Sequence, residues 1–588
     1  MRKYKGQGGK MKRQVENLRA KMREKKTDAY IIPTTDFHGS EYVNDYFKCR
    51  EFVSGFTGSA GTLVVTADAA ALWTDGRYFL QAESELAGSG IVLMREGDPG
   101  TPEITEWLCQ RLPRGREQMV GFDGRIVSAK FGEKLKESFH VEAELDLADE
   151  IWAERPKLKA SEIYPLALRV TGESSESKLS RVREEMQKAG AEAHIITSLE
   201  EIAWLFNLRG RDVLHTPVFY AFVLVELERV RVYLLNDEEK VKSLFDDEIE
   251  IKPYTAIFDE LKTLKAKSIM YDENTISYSL FESIPHSCRA VKCKDPAMLM
   301  KAVKNSAEIA CTKQAHIRDG AAVTRFIKWL KANVSTDEIT EISAADYLWE
   351  ERRRQGAYDL SFDTIAGYGP HGAIIHYEAA PETNAELKPE GFLLVDSGGQ
   401  YEDGTTDITR TIALGPLTEK MKRCYTAVLK AHIALATTEF DAETTGRELD
   451  AIARKTLQAE GLDYKHGTGH GVGHMLSVHE GPASISPRGV NCHIAPGMIL
   501  SNEPGVYQEG KFGIRLENEI LCIELENGKY GFETITFCPF EREAILTELL
   551  TEKEKAWLNA YHARVYDTLK PLLSSEELKW LKAAASEI

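Results

Sequence analysis

Apolar positions recur at helical spacing in residues 14–32, QVENLRAKMREKKTDAYII, where Val15, Leu18 and Met22 share one face before a short apolar strand begins. The pattern returns at 178–196, KLSRVREEMQKAGAEAHII. There Leu18 aligns with Val182, Arg19 with Arg183, Met22 with Met186, and Ala29-x-Ile31-Ile32 with Ala193-x-Ile195-Ile196. Each copy runs on into strand pairs, TLVVT and AALWT in the first, FYAFVLV and VRVYLL in the second. An echo of two units predicts a domain duplication rather than a solenoid. The two α/β domains part near 160–176, where RPKLKASEIYP and TGESSES are polar and turn-rich.

From about residue 300 the pattern changes. Residues 301–332 predict a long amphipathic helix, or two abutting ones, with Ile309, Ile317, Val323 and Ile327 on the buried side. Thr336 reads as the N-cap of the next helix, with Glu338 and Glu341 in its first turns. Beyond 360 come short strands, Gly-rich turns and two helices near 417–438 and 445–460. The segment 548–588 is helical and charged and includes Trp557, Tyr561 and Trp580. It reads as a C-terminal extension packed on the preceding domain or on a partner subunit.

A chain of 588 residues exceeds one hydrophobic core, and three domains are expected. Its net charge of −18 argues against nucleic acid or an anionic membrane surface as partner. No apolar run approaches the roughly 20 residues a membrane helix needs. The start, MRKYKGQGGKMKRQ, is basic without a following apolar segment and does not read as a secretory leader; Met11 is an alternative start. Nine cysteines without a C-x-x-C pair fit reduced, mostly buried thiols in a cytoplasm.

The chemistry lies in two carboxylate pairs. Asp396 ends an apolar strand in FLLVDSGGQYEDGTTDITRTIAL, and a ribbon folding back at Gln400–Asp403 sets Asp407 on the opposed strand. Glu503 follows MILSN, Gly510 and Gly513 mark a turn, and Glu517 returns on RLENEI. Cross-strand carboxylates about 5 Å apart repel unless a cation lies between them or one takes up a proton. Between the pairs lies His466-Gly-Thr-Gly-His470-Gly-Val-Gly-His474. Four glycines make a helix improbable, and an extended path would put the three histidines on one side. Four carboxylates with one or two imidazoles form an oxygen-dominated set for paired Mn²⁺, Co²⁺, Fe²⁺ or Zn²⁺, which can hold a bridging hydroxide and polarise a carbonyl.

Asp396, Asp407, His470, Glu503 and Glu517, in that order and those contexts, resemble the metal ligands of the pita-bread metallopeptidases. That family includes methionine aminopeptidase, prolidase, creatinase and Xaa-Pro aminopeptidase. Longer stretches resemble its three-domain Xaa-Pro aminopeptidases: SGFTGSAGT (54–62), WTDGRYFLQA (73–82), SLEEIAWLFNLRG (198–210), KAVKNSAE (301–308), TEISAAD (340–346), GAIIHY (372–377), DGTTDITRT (403–411), HGTGHGVGH (466–474), VHEGP (478–482) and NEPGVY (502–507). The match runs from about residue 14 to WLNAYH at 557–562.

The resemblance implies an α/β (α+β) chain with two creatinase-like domains (1–165 and 166–305), a pita-bread catalytic domain (306–545) and a helical extension (546–588). It implies hydrolysis of N-terminal Xaa-Pro bonds in peptides with proline at the second position, using two divalent ions. Mn²⁺ is expected first, with Co²⁺ or Zn²⁺ as alternatives. Asp396, Asp407 and Glu517 would hold one ion; Asp407 and Glu517 would bridge to a second, completed by His470 and Glu503. The implied catalytic set is His376, His466, His479 and Glu503, with Glu503 moving the proton. The substrate side is Arg77, His376, His479 and Arg515, the last also supporting the ligands from behind. His474 has no implied ligand role. A cytoplasmic homodimer is expected. Prolidase, creatinase and a metal-free binding module are the rival readings: the first lacks the second N-terminal domain, and the others do not need all five ligands.

Overall fold

The computed structural model describes residues 4–488 and 492–588. The chain divides into two compact units, Met1–Ala167 with Glu173–Ala297, and Leu168–Gly172 with Met298–Ile588.

The first unit contains two six-stranded sheets. The strand order in one is Val92–Arg95, Ala70–Thr74, Thr62–Thr66, Ala29–Pro33, Met119–Phe122, His140–Glu142. In the other it is Ile249–Pro253, Val230–Leu234, Ala221–Glu226, Ala193–Ile196, Ser268–Tyr271, Arg289–Lys292. The senses agree too. The strand after the first helix pairs antiparallel on one side and parallel on the other, and the outermost pairs are all parallel. The sequence echo is thus a duplicated sheet. Val15, Leu18 and Met22 are buried beneath Tyr30, Ile32 and Leu63 in the first copy, and Leu179, Val182 and Met186 are buried in the second. Three such side chains stabilise each helix–sheet contact by roughly 5–9 kcal/mol.

The two halves of this unit touch at His38, whose side chain is buried. Its Nδ1 lies 2.7 Å from the Thr197 carbonyl oxygen and its Nε2 2.5 Å from the Tyr254 hydroxyl. A carbonyl only accepts, so Nδ1 carries the proton and Nε2 accepts from Tyr254. Burial lowers the pKa of the ring to about 3, and the imidazole is neutral.

In the second unit the stretch 301–332, expected as one long helix or two abutting ones, is two helices, Pro296–Ala302 and Ser306–Asn333. Asn305 causes the break: its side chain accepts from the N–H groups of Ala307 and Glu308, and Glu308 returns to its backbone in a capping box. Ile309 and Ile317 are only half-buried. The buried face is partly polar and includes Thr312, His316 and Asp319 beside Ala315 and Val323. The next helix, Glu341–Arg354, is capped by Thr340 with Ser343, and not by Thr336. The Thr336 hydroxyl instead donates to Asn333 O in the turn closing the preceding helix.

Around these helices the strand Phe392–Ser397 lies between Ile365–Tyr368 and Ile408–Ala413. A five-stranded sheet runs Glu480–Ile485, Gly469–Gly471, Ile499–Asn502, Asn518–Glu524, Tyr530–Thr534, and Gly505–Gln508 pairs with Phe512–Arg515. The helices Glu552–Leu569 and Ser575–Ala584 bury Leu558, Val565, Leu569 and Leu581 in one core with Tyr425, Leu449 and Ile520. The Tyr561 hydroxyl donates to Cys538 O at 2.8 Å and accepts from Arg410 at 3.1 Å. Arg410 in turn donates to the carbonyl of Glu517 at 2.6 Å. The extension therefore packs on its own unit. Among the described residues no helix is long and apolar enough to cross a membrane, and none of the nine cysteines forms a disulfide.

Candidate metal centre

Asp396 is paired with Thr409 in the ladder between Phe392–Ser397 and Ile408–Ala413. Asp407, two residues before Thr409, is therefore a diagonal neighbour of Asp396. The pairs Gln400↔Thr405 and Tyr401↔Gly404 close the ribbon between them. Glu503 follows Ile499–Asn502 and Glu517 precedes Asn518–Glu524; since Asn502 faces Asn518, the two glutamates flank the mouth of that ladder. Gly510, at φ 68, forms the turn of the intervening ribbon. Gly513, expected in that turn, lies within Phe512–Arg515 and packs on Gly372. Strand 408–413 draws the halves together. Glu517 N donates to Thr409 O at 3.1 Å, and the Thr409 hydroxyl donates to Glu517 Oε2 at 2.7 Å.

The histidine run does not share one side. His466 Nε2 lies 2.8 Å from the Tyr507 hydroxyl. His474 turns away and is buried, with its Nδ1 3.0 Å from Thr312 Oγ1. His470 comes nearest the carboxylates and touches two of them: its Nε2 is 3.5 Å from both Asp407 Oδ2 and Glu503 Oε1, whereas His466 Nδ1 lies 3.8 Å from Glu503 Oε2. The Nδ1 of His470 lies 3.0 Å from Gly471 O, which fixes the tautomer and aims the Nε2 lone pair at the cluster. The chain can pass here only because Gly471 has no side chain, since a Cβ would collide with the Glu480 carbonyl oxygen. His479 stands against His470, with ring centroids 4.4 Å apart at 83°.

The electrostatics of the pocket call for a cation. Burial, then Glu517 and Asp396, push the Asp407 carboxyl well above the usual range. Burial, then Asp396 and Glu503, do the same to Glu517. Burial raises Glu503 to about 7 although Arg515 opposes it. Oδ1 of Asp396 and Oδ1 of Asp407 are both buried without a hydrogen-bond partner. Orphaned anionic oxygens of this kind are satisfied by a divalent ion, which also removes the mutual repulsion. Donor atoms of Asp407, His470 and Glu517 lie within 4.8 Å of one another. Carboxylates with one imidazole suit a hard or borderline divalent metal.

Arg515 is fully buried behind this cluster. Its Nη2 donates to Asp396 Oδ2 at 2.6 Å and to Ile375 O at 3.4 Å, its Nη1 to Tyr507 at 2.8 Å and its Nε to Thr409 Oγ1 at 3.2 Å. His376, half-buried, follows Ile375. Arg77 belongs to the first unit, where Asp75 takes its Nε and Nη2 at 2.9 and 2.8 Å and Glu41 its Nη1 at 3.3 Å.

Sequence reasoning missed a ring of supports. Three of them stand two residues from a proposed ligand, on the same strand face. These are Thr409, Ser501 and Glu519. The Ser501 hydroxyl donates to Glu503 Oε1 at 3.2 Å and accepts from His470 N at 3.0 Å. Glu519 Oε1 accepts the backbone N–H of Asp407 at 2.7 Å and lies 3.0 Å from His316 Nε2. His316 Nδ1 faces the Thr312 carbonyl at 2.8 Å, so both ring nitrogens lie near acceptor oxygens, an arrangement that favours the charged ring. Burial opposes that charge, and Glu519 more than offsets it. Period-two spacing would have found the first three supports. His316, on a distant helix, left no local signal.

Family models match residues 14–588 in near-continuous succession: the creatinase/prolidase N-terminal domain twice, over residues 14–156 and 154–308, metallopeptidase family M24 over 310–524, and the C-terminal region of peptidase M24 over 528–588. Aminopeptidase P2 of Arabidopsis thaliana is 42% identical over 94% of this chain and 85% of its own length. The crystal structure of an X-prolyl aminopeptidase from Caenorhabditis elegans, a cytosolic enzyme with a di-nuclear active site, superposes with a TM-score of 0.94 at 32% identity, covering 98% of this chain and 99% of that one. The Xaa-Pro dipeptidase of Bacillus anthracis, 26% identical with a TM-score of 0.52, matches over 99% of its own length but only 63% of this chain.

Proposed function

The chain belongs to metallopeptidase family M24, among its three-domain Xaa-Pro aminopeptidases, and from that premise we propose that it removes the first residue of peptides whose second residue is proline. The observation that carries this reading is the convergence of Asp396, Asp407, His470, Glu503 and Glu517, with two buried carboxylate oxygens left for a cation. Asp396, Asp407 and Glu517 would hold one ion, and Asp407, Glu517, His470 and Glu503 a second, with Mn²⁺ the first choice for so oxygen-rich a set. Bound there, divalent ions supply an acidified water and a Lewis acid for the scissile carbonyl.

The residues do the remaining work. Glu503 carries the proton to the leaving prolyl nitrogen. Its side chain is 17% exposed, against 12% for Asp396 and 4% for Asp407, so of these carboxylates it is the most open to solvent. Ser501 steadies one of its oxygens, and His466 Nδ1 stands 3.8 Å from the other. His376 and His479 donate to the carbonyl oxygen as charge develops on it. The free amine of the substrate is drawn to the carboxylates. Proline's tertiary amide has no N–H, so the pocket beyond the scissile bond needs a wall for a ring and no acceptor.

We further propose a cytosolic homodimer, domain limits at 165, 305 and 545, and a substrate contact for Arg77 while Asp75 and Glu41 hold it. Sedimentation at about twice 66.0 kDa is the expected mark of the dimer. The deciding assay follows Xaa-Pro-Yaa peptides after chelation and separate return of Mn²⁺, Co²⁺ and Zn²⁺. Cleavage of tripeptides, loss with an acetylated N-terminus and restoration by metal are expected. Cleavage confined to Xaa-Pro dipeptides would defeat the reading.

A further inference from the structure

Glu480 is buried, and both of its carboxylate oxygens hold lysines. Oε2 lies 2.5 Å from Lys301 Nζ, and Oε1 meets Lys304 Nζ. The lysine side chains are only 3% and 1% exposed. Two ammonium groups thus share one buried carboxylate. Burying each ion costs several kcal/mol, and hydrophobic residues of the same volume are often as stable or more so. A group of this kind is explained by geometry it enforces rather than by stability.

Its place in the fold shows which geometry. Glu480 directly follows His479, and its backbone faces Gly471, the residue after His470, where the ladder register is irregular. The segments bearing the two histidines therefore cross at the Gly471–Glu480 contact. Lys304 is itself fixed, donating its backbone N–H to Gly497 O at 3.0 Å immediately before the Asn305 cap. The helix so started carries Thr312, bonded to His474, and His316, paired with Glu519. The stretch 301–316 thus meets the chain around the metal cluster at three points, Glu480, His474 and Glu519.

We propose that Glu480, clamped by Lys301 and Lys304, is a positioning residue that holds the metal ligand His470 and the cleft histidine His479 in register with each other. The assignment of His470 and His479 rests on the peptidase reading, and the test separates the two. Full-length Glu480→Gln, Lys301→Met and Lys301→Arg proteins are stripped of metal and titrated with Mn²⁺, with bound ion followed by electron paramagnetic resonance. Turnover of an Xaa-Pro-Yaa peptide is then measured at saturating Mn²⁺.

Supports of metal ligands change affinity by about 10- to 100-fold. We expect Mn²⁺ affinity to weaken by that factor in Glu480→Gln and Lys301→Met, kcat to fall with KM little changed, and Lys301→Arg to recover both. If Glu480→Gln fails to fold, Lys301→Met, which keeps the Glu480–Lys304 pair, decides the matter. Affinity and kcat within twofold of the parent in a folded variant would overturn the proposal. Absence of turnover in the parent would defeat the peptidase reading alone, and the Mn²⁺ titration would still judge the clamp.

Discussion

His38 makes the first unit acid-sensitive by an amount that can be worked out. Its ring is buried and neutral with a pKa of about 3, whereas in the unfolded chain it titrates near the ordinary histidine value of 6.5. Between those values the unfolded state binds one proton more than the folded state. Stability therefore falls as pH falls, by about 1.4 kcal/mol per unit. From pH 7 to pH 5 the loss is about 2 kcal/mol for this residue alone. Asn at this position can keep the donor to Thr197 O, is too short to reach the Tyr254 hydroxyl, and does not titrate. His38→Asn should be less stable than the parent at pH 7, having lost the ring packed 4.3 Å from Phe222. The gap should narrow by about 2 kcal/mol at pH 5. Amide hydrogen exchange of peptides covering 193–197 and 221–226 in the full-length protein reads this in the first unit directly. A parallel loss in parent and variant would show that His38 is not the titrating group.

Further outcomes follow from the second unit. Asp407→Asn should lose turnover by several orders of magnitude and bind less metal by elemental analysis, with an unchanged far-ultraviolet circular dichroism spectrum. His316→Leu leaves the Glu519 carboxylate buried without its counter-charge and should destabilise the unit by about 3–5 kcal/mol in urea unfolding. Leu558→Ala, in the helix Glu552–Leu569, should cost about 2–5 kcal/mol by the same measure, since Leu558 is fully buried.

The parts of the fold that were legible in the sequence are those written in local periodicity. Val15, Leu18, Met22 and their counterparts announced the duplicated sheets because each face is set within a few residues. Asp396, Asp407, Glu503 and Glu517 were legible because strand, turn and strand bring the members of a pair close without help from distant chain. Where a polar group competes for the backbone, apolar spacing misleads: Thr340, and not Thr336, starts the helix Glu341–Arg354. The histidine run failed for a related reason. Its glycines permit a path on which His474 can leave its neighbours for Thr312. The supports His316, Lys301 and Lys304 are separated from their partners by 160 residues or more (316 to 519, 301 and 304 to 480), and only the folded chain joins them.

The contact between Arg410 and Tyr561 has a consequence for synthesis on the ribosome. Arg410 grips the carbonyl of Glu517, and the Tyr561 hydroxyl grips Arg410. All five proposed metal ligands are translated by residue 517, yet the backing of that last glutamate is completed only when residue 561 has left the exit tunnel. Domains generally fold as they emerge. The duplicated sheets can thus form early, while the carboxylate pocket waits for a helix made near the end. A message truncated between those two points would yield a chain with every ligand and no settled place for the ion.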